Sequence, residues 1–469
     1  MTMNLAMLTD LYEFTMCNGY LETNPELQGN FDIFFRKTPN NSSFVVNAGL
    51  STALTELKNF HFSKEDLAYL ESLSIFNEKF IAYLATFEYN CKLTVIPEGC
   101  PVFPLEPIVS IQGPIVQLQL FETMLLNILG HQSLIATTAR RMVMAADGKP
   151  IIDFGARRAQ GPDGAIFGTR AAIIGGVKST TNVLAAKAFD LPIVGTMAHS
   201  WVQSFPNEKT AFKVWAQLYP NALSFLVDTY DVLESGIPNA IDVFKSLDKS
   251  VADSWSIRID SGDLAMLVTK SRILLDEAGL QKVKITVSNS LNILDIQSLT
   301  KSNIPIDNFG VGENLIVSTS SPVLGMVYKL SAILENKQVV PKIKKSNSSE
   351  KTTLPGIKKV YRLYDQHNTK AIGDIITLQD ENIEEVMEVI EINSNGKKKL
   401  LQNFFVKSLQ REVGVEDFEQ FINTKVLDLQ PQSEKEIKEL FFCAEYYPVY
   451  VTEKLFKLRS RLLEEYKNA

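Results

Sequence analysis

The sequence predicts an α/β protein built on an irregular parallel (β/α) barrel, with an N-terminal α+β region before it and a C-terminal extension after it. Two observations carry the barrel. From about residue 149 to 330, short β-branched runs alternate with helix-length amphipathic stretches, the rhythm of repeated βα units on a parallel sheet. Six such units in that span suit a barrel better than a doubly wound open sheet. A third observation sets the scale: 469 residues exceed one ordinary domain, and 45% hydrophobic with 22% charged residues is the composition of a folded globular chain.

Taken in order, residues 1–125 mix a first helix pattern, the strand-like runs "FDIFFRK" and "SFVVNAGL", and the Pro-punctuated "IPEGCPVFPLEPIVSIQGPIVQLQL". This reads as a separate α+β domain whose extended strands feed the barrel. Asp10 and Glu13 in "MTMNLAMLTDLYEFTM" stand where a signal peptide would need a basic flank and a long apolar core. No uncharged run reaches membrane-spanning length, so a cytoplasmic protein without a membrane partner is expected. Residues 126–340 form the barrel segment, with strand candidates "KPIIDFG", "LPIVGTM", "ALSFLVD", "WSIRIDSG", "KVKITVSNS" and "NFGVG". Between them lie helical patterns such as "NEKTAFKVWAQLY", "IPNAIDVFKSL" and "GDLAMLVTKSRILLDEAG". Residues 341–469 are the extension: a Lys- and Ser-rich loop or hairpin, then an amphipathic terminal helix packed on the surface.

Charge and cysteine usage exclude several classes. A net charge of −7 gives no global basic footprint for nucleic acid, so an anionic ligand needs a local cluster. Four cysteines, spread without C-x-x-C or a metal-ligand spacing, argue for reduced thiols and against a zinc site.

Polar residues gather where each strand candidate ends, and in a parallel barrel those ends converge on one mouth. In "IRIDSGDL", Arg258 and Asp260 alternate onto one face, which suits recognition of a planar carboxylate or phosphate, or equally a buried structural ion pair. Ser261, the turn at Gly262 and the helix start at Asp263 can hold a phosphate, although Asp263 is also an ordinary N-cap. "FGVGENLIVSTSSP" adds Gly310 and Gly312 in a second turn after a strand. "DFGARRAQGPDG" adds Arg157 and Arg158, suited to a polyanion or to a surface salt bridge. In "GTMAHSWVQS", His199 follows what reads as a buried strand, among small residues that leave room for a bulky partner. Neutral imidazole is a competent nucleophile near pH 7. A core histidine bonded to a carbonyl is the plainer alternative.

These stretches, with "LTDLYEFTM", "FFRK", "STTNVLAA", "LVDTYDV" and "LGMVYKL", resemble in order the nicotinate phosphoribosyltransferase family. The resemblance implies a type II phosphoribosyltransferase fold and a homodimer with sites near the subunit interface. It also implies a reaction in NAD biosynthesis that joins nicotinate to phosphoribosyl pyrophosphate, coupled to ATP hydrolysis with Mg²⁺. It gives His199 the role of a histidine phosphorylated by ATP, and Thr196 and Arg258 the nicotinate carboxylate. Tyr12 would stack on the pyridine ring. Arg157, Ser261, Gly262, Asp263, Gly310 and Gly312 would surround phosphoribosyl pyrophosphate, and Asp260 would be catalytic and face Mg²⁺. Glu313 departs from a frequent Thr, and "NSLNILD" from an aspartate-rich stretch, so no role is carried to Asn289 or Asn292. The rivals are a nicotinamide phosphoribosyltransferase, a sugar-phosphate barrel lyase or isomerase, and a catalytically silent relative. The lyase or isomerase would need a Schiff-base Lys or a histidine metal set at strand ends.

Overall fold

The computed structural model describes residues 4–248, 253–336, 338–345, 352–367, 370–386, 388–392, 398–400, 404–430 and 447–468. They group into two compact units: residues 1–134, 323–424 and 431–469 form one, and residues 135–322 with 425–430 form the other.

The first unit contains an antiparallel sheet in the order Gln338–Pro341, Met326–Glu335, Gln28–Phe35, Val109–Pro114, Lys92–Val95, Arg411–Val413. The "FDIFFRK" run is paired on both sides, and residues 326–335, from within the expected barrel segment, are one of its partners. The N-terminal strands were expected to feed the barrel; they complete this sheet instead, because their ladder groups are satisfied by one another. Edge-on aromatic pairs, among them Phe14 with Phe80 and Phe60 with Phe121, fill the core beneath. A second, mixed sheet pairs Lys358–Asp365 with Ala371–Leu378, and the amphipathic terminal helix Glu453–Asn468 packs on it.

In that second sheet Arg362 lies opposite Asp374, and both are sealed from solvent. The guanidinium donates from Nε to Asp374 Oδ1 at 2.9 Å and from Nη2 to Oδ2 at 2.8 Å and to the Pro101 carbonyl at 2.8 Å. Tyr447 donates its hydroxyl to the same carboxylate at 2.7 Å. Glu106 is buried beside them, and burial first, then the Asp374 charge, pushes its pKa well above the usual carboxylate range.

The second unit is the barrel. Its parallel strands are β1 (Ile151–Asp153), β2 (Ser179–Thr180), β3 (Ser224–Leu226), β4 (Ser256–Ile259), β5 (Lys284–Val287) and β6 (Asn308–Val311), in the sheet order β2-β1-β6-β5-β4-β3. Helices α1 (Gly161–Ile174), α2 (Val183–Phe189), α3 (His199–Gln203), α4 (Glu208–Leu218), α5 (Ile237–Lys245), α6 (Leu264–Glu277), α7 (Ile293–Lys301) and the short α8 (Glu313–Ile316) connect or follow the strands. Side-chain caps from Asn207, Asp263 and Asn292 start α4, α6 and α7.

One strand expectation fails. "LPIVGTM" contributes a single bridge, Ile193 to Thr180, flanked by bonds from Thr180 N to Pro192 O and from Val194 N to Thr180 O. Pro192 has no N–H for a second neighbour, and Ile193 and Val194 are 52% and 41% exposed, so no buried strand precedes His199. Ser179–Thr180 takes the strand position instead, a pair too short and too polar to show a periodic pattern. The curled sheet therefore has one seam, between this segment and β3. A side chain spans it: Thr196 Oγ1 donates to the Ser224 carbonyl at 3.1 Å.

Inward positions on the strands are mostly small or polar: Ile152, Ser224, Ser256, Arg258, Thr286 and Asn308 line a cavity of about 920 Å³. Outward positions such as Phe225, Ile257, Ile259, Ile285, Val287 and Phe309 are buried under the helices. A barrel of this kind is ordinarily filled by branched side chains. This one is hollow.

Candidate active site

The cavity reaches the C-terminal strand ends, where Phe154, Arg157, Thr196 and Arg258 line it. Arg258 and Asp260 do share a face: Nη2 meets Asp260 Oδ1 at 2.9 Å, with the side chains 15% and 27% exposed. Nε donates to Ser288 Oγ at 2.8 Å, and the Ser288 hydroxyl donates onward to Asp260 Oδ1. The guanidinium lies 4.8 Å from the centre of the Phe154 ring. One edge of the guanidinium is thus engaged, while Nη1 has no partner among the described residues. The edge formed by Nη1 and Nη2 can take a planar carboxylate bidentately. Asp260 likewise keeps Oδ2 free of partners among the described residues.

The turn after β4 is held from the neighbouring strand. Asp228 Oδ2 accepts from the Asp260 amide at 3.2 Å and from Ser261 Oγ at 2.6 Å. Gly262 then takes φ +82°, a left-handed conformation that glycine adopts freely, and Asp263 caps α6 by accepting from the Met266 amide at 3.1 Å. The N-cap alternative therefore describes Asp263.

At the end of β1, Asp153 is buried and accepts from the Gly155 amide at 2.7 Å and from the hydroxyls of Thr169 and Thr180, each at 2.8 Å. Burial raises its pKa, and these three bonds oppose the rise. They fix the turn Ala156–Arg158, from which Arg157 lines the cavity with no ion pair among the described residues. Arg158 instead faces Glu313 at 3.9 Å, both exposed, a contact of little energetic weight. Gly310 is buried, and a Cβ there would collide with the Phe154 ring. Its lack of a side chain makes room for that ring, a packing requirement beside the phosphate contact expected at Gly310. Gly312, which precedes α8, is half-buried, and a Cβ there would meet the Phe154 backbone carbonyl.

His199 is the first residue of α3 and half-buried, with Nδ1 3.1 Å from Thr229 Oγ1. It does not line the cavity; Thr229, next in the chain to Asp228, connects it to the strand end that holds the 260–261 turn. After β5, Asn289 and Ser290 have φ of +120° and +48°, and Asn314 Nδ2 donates to the Ser290 carbonyl at 2.7 Å. Asn292 caps α7. Tyr12 belongs to the other unit, 45% exposed on the helix Leu11–Thr23 with Leu8, Leu11 and Met16 exposed nearby. Its phenol pKa is pushed up by burial first and then by Glu122. The lysine lining the cavity, Lys284, stands at the start of β5, away from the strand ends a Schiff-base mechanism would use.

Sequence reasoning missed Phe154, Thr229 and the bridging part of Ser288. Phe154 sits inside a quoted motif but looks like any core aromatic, and only the glycine at 310 hints that a ring needs space.

Comparison with known proteins resolves the class. A model of the nicotinate phosphoribosyltransferase N-terminal domain matches residues 7–130, the family's main model matches residues 150–404, and a model of its C-terminal domain matches residues 357–459. The chain belongs to the nicotinate phosphoribosyltransferase family. It is 38% identical to the nicotinate phosphoribosyltransferase of Bacillus subtilis (strain 168), over 99% of this chain and 96% of that protein. It is 35% identical to the family protein of Caenorhabditis elegans, over 80% and 76% of the two chains. Human nicotinic acid phosphoribosyltransferase superposes with a TM-score of 0.83 at 26% identity, covering 97% of this chain and 100% of that one. The family's α/β type II phosphoribosyltransferase fold is the one described above. No helix among the described residues is long and apolar enough to cross a membrane.

Proposed function

We propose that this family member joins nicotinate to phosphoribosyl pyrophosphate, giving nicotinate mononucleotide and pyrophosphate, as a step of NAD biosynthesis. The observation that carries the reading is the open edge of Arg258 over Phe154 inside a hollow barrel. A planar aromatic acid gripped on that edge lies parallel to the guanidinium, against the ring that forms the cavity wall. Nicotinamide offers that edge only one acceptor and no charge.

Arg157, without an ion pair among the described residues and at the strand-end mouth, suits the pyrophosphate leaving group, and the amides at the Gly262 turn, ahead of the fourteen-residue α6, suit the 5′-phosphate. Departure of pyrophosphate leaves an oxocarbenium-like ribosyl centre, so the Asp260 carboxylate and the Arg157 cation oppose the two charges that develop. Asp260 Oδ2, on a partly exposed side chain, also fits one position in a magnesium shell completed by phosphate oxygens. Magnesium held there would offset the charge of the leaving group. Thr196 keeps lone pairs toward the cavity while its proton is engaged across the seam.

His199 is the residue proposed to take the γ-phosphoryl group of ATP. In the tautomer that donates Nδ1–H to Thr229, Nε2 carries the free lone pair; a P–N bond would form there as the bond to ADP oxygen breaks, and water would later return the imidazole and phosphate. The exposed Leu8, Leu11, Tyr12 and Met16 fit a homodimer in which Tyr12 of a second copy stacks on the pyridine ring, and a cytoplasmic enzyme is expected.

Turnover with phosphoribosyl pyrophosphate should favour nicotinate over nicotinamide by at least about a hundredfold, the weight of a charge-assisted pair. Equal use of the two would overturn the assignment. Incubation with γ-labelled ATP should give an acid-labile, alkali-stable protein phosphate that His199→Ala abolishes. Labelling that persists in the variant would place the nucleophile elsewhere.

A further inference from the structure

We propose that Asp228 is a positioning residue for the turn that binds the phosphoribosyl group, and that Ser261 belongs to this brace instead of donating to the ligand. The proposal rests on the phosphoribosyl transfer read above.

A serine hydroxyl has one proton to donate. That of Ser261 goes to Asp228 Oδ2 at 2.6 Å, a charge-assisted bond and thus stronger than a neutral one. Phosphate oxygens accept and do not donate, so while this bond stands Ser261 has no proton to give a phosphate. The Asp260 amide reaches the same Asp228 oxygen at 3.2 Å. One carboxylate oxygen therefore fastens two consecutive residues of the turn to the end of β3, the strand paired with β4 through Leu226 and Arg258. Past this anchor the chain reverses at Gly262, φ +82°, and enters α6. The amides that follow are left to face a ligand, and Asp260 keeps Oδ2 without a partner among the described residues.

Two observations mark Asp228 as more than a loop anchor. Its Oδ1 is buried and has no hydrogen-bond partner among the described residues, a desolvation cost that nothing in the packing offsets. The next residue, Thr229, bonds His199 Nδ1, so the phosphoribosyl turn and the proposed nucleophile are both referenced to one two-residue strand end. A displacement of Asp228 moves both.

The test compares Asp228→Ala, Asp228→Asn, Ser261→Ala and the double variant Asp228→Ala/Ser261→Ala. Affinity for phosphoribosyl pyrophosphate alone is measured by titration calorimetry, the two KM values by steady-state kinetics, and folding by thermal melting. Asp228→Ala should weaken phosphoribosyl pyrophosphate binding about tenfold or more and raise its KM equally, while the KM for nicotinate stays within about threefold. Asp228→Asn, which keeps an acceptor for the two donors, should recover most of that loss. Ser261→Ala should cost only about threefold, because the Asp260 amide still holds, and the double variant should be no worse than Asp228→Ala. Multiplying effects, with Ser261→Ala as damaging as Asp228→Ala, would instead show a direct serine–phosphate contact and overturn the proposal. So would an Asp228→Ala protein with lowered melting temperature and unaltered affinity. Should the alanine variant not fold, the cycle between Asp228→Asn and Ser261→Ala decides by the same criterion. If the unaltered protein binds phosphoribosyl pyrophosphate but does not consume nicotinate, the reaction assignment fails and the brace stands or falls on the binding data.

Discussion

Each of the two units holds an arginine–aspartate pair laid against aromatic rings, and the pairs differ in one respect. Arg362 has its Asp374 partner on one edge and the Pro101 carbonyl beside it, lies 5.7 Å from the Phe103 ring and 5.9 Å from that of Tyr447, and is wholly buried. Arg258 has Asp260 and Ser288 on one edge, lies 4.8 Å from Phe154, and leaves Nη1 toward a cavity. The two alternatives for "IRIDSGDL", recognition site or structural ion pair, are thus both present in this protein. Whether the second guanidinium edge is closed decides between them, and that depends on the size of inward neighbours such as Ser224, Ser256 and Thr286 rather than on the pair itself.

The largest expected contrast comes from removing each arginine. Arg362→Ala strands Asp374 and Glu106 in the interior and should destabilise the protein by about 3–5 kcal/mol, read as loss of soluble folded enzyme or a large fall in melting temperature. Arg258→Ala should melt close to the unaltered protein and lose about a hundredfold in kcat/KM for nicotinate. A stable Arg362→Ala protein, or an unfolded Arg258→Ala one, breaks the comparison.

A smaller effect follows from Glu106. Its folded pKa is raised above the unfolded value of about 4.3, so the folded state holds this proton more tightly. Its contribution to stability is full below that unfolded value and is lost as pH rises toward and through the raised one. Glu106→Gln keeps the shape without the ionisation. It should therefore raise stability by about 1–3 kcal/mol at pH 8 and change little near pH 4, measured as the difference in melting between variant and parent across pH. A difference independent of pH would show that the carboxyl is not the titrating group.

The smallest effect is at Ser288, which does for Arg258 what the Pro101 carbonyl does for Arg362. Ser288→Ala should raise the KM for nicotinate by about three- to tenfold with little change in kcat, the weight of one hydrogen bond. An unchanged KM would mean that Phe154 and Asp260 alone orient the guanidinium.

Much of the barrel and its mouth is legible in the sequence, for physical reasons that also mark the limits. Alternation along a strand is enough to place Arg258 and Asp260 on one face, and short apolar runs locate five of the six strands. The missing one, Ser179–Thr180, carries no apolar signal because its side chains point to Asp153 and the cavity rather than to a hydrophobic layer. "LPIVGTM" misleads for the opposite reason: it has the composition of a buried strand at a position where no second neighbour closes on it. Partners across strands, Asp228 for Ser261 and Ser288 for Asp260, depend on the order β3-β4-β5 and so emerge only once the sheet is assembled. Gly310 shows the same dependence, since its meaning comes from Phe154 on the adjacent strand's exit.

The seam between Ile193 and β3 bears on how large an object the barrel can enclose. A fully laddered barrel has its girth set by whole numbers, the count of strands and their stagger. Here the hoop closes without a ladder, through side chains: the Thr196 hydroxyl on the Ser224 carbonyl and, just beyond it, His199 beside Thr229. No ladder sets the girth at that point, and a substitution at Thr196 would remove a bond across the waist of the protein without touching a single rung of the sheet.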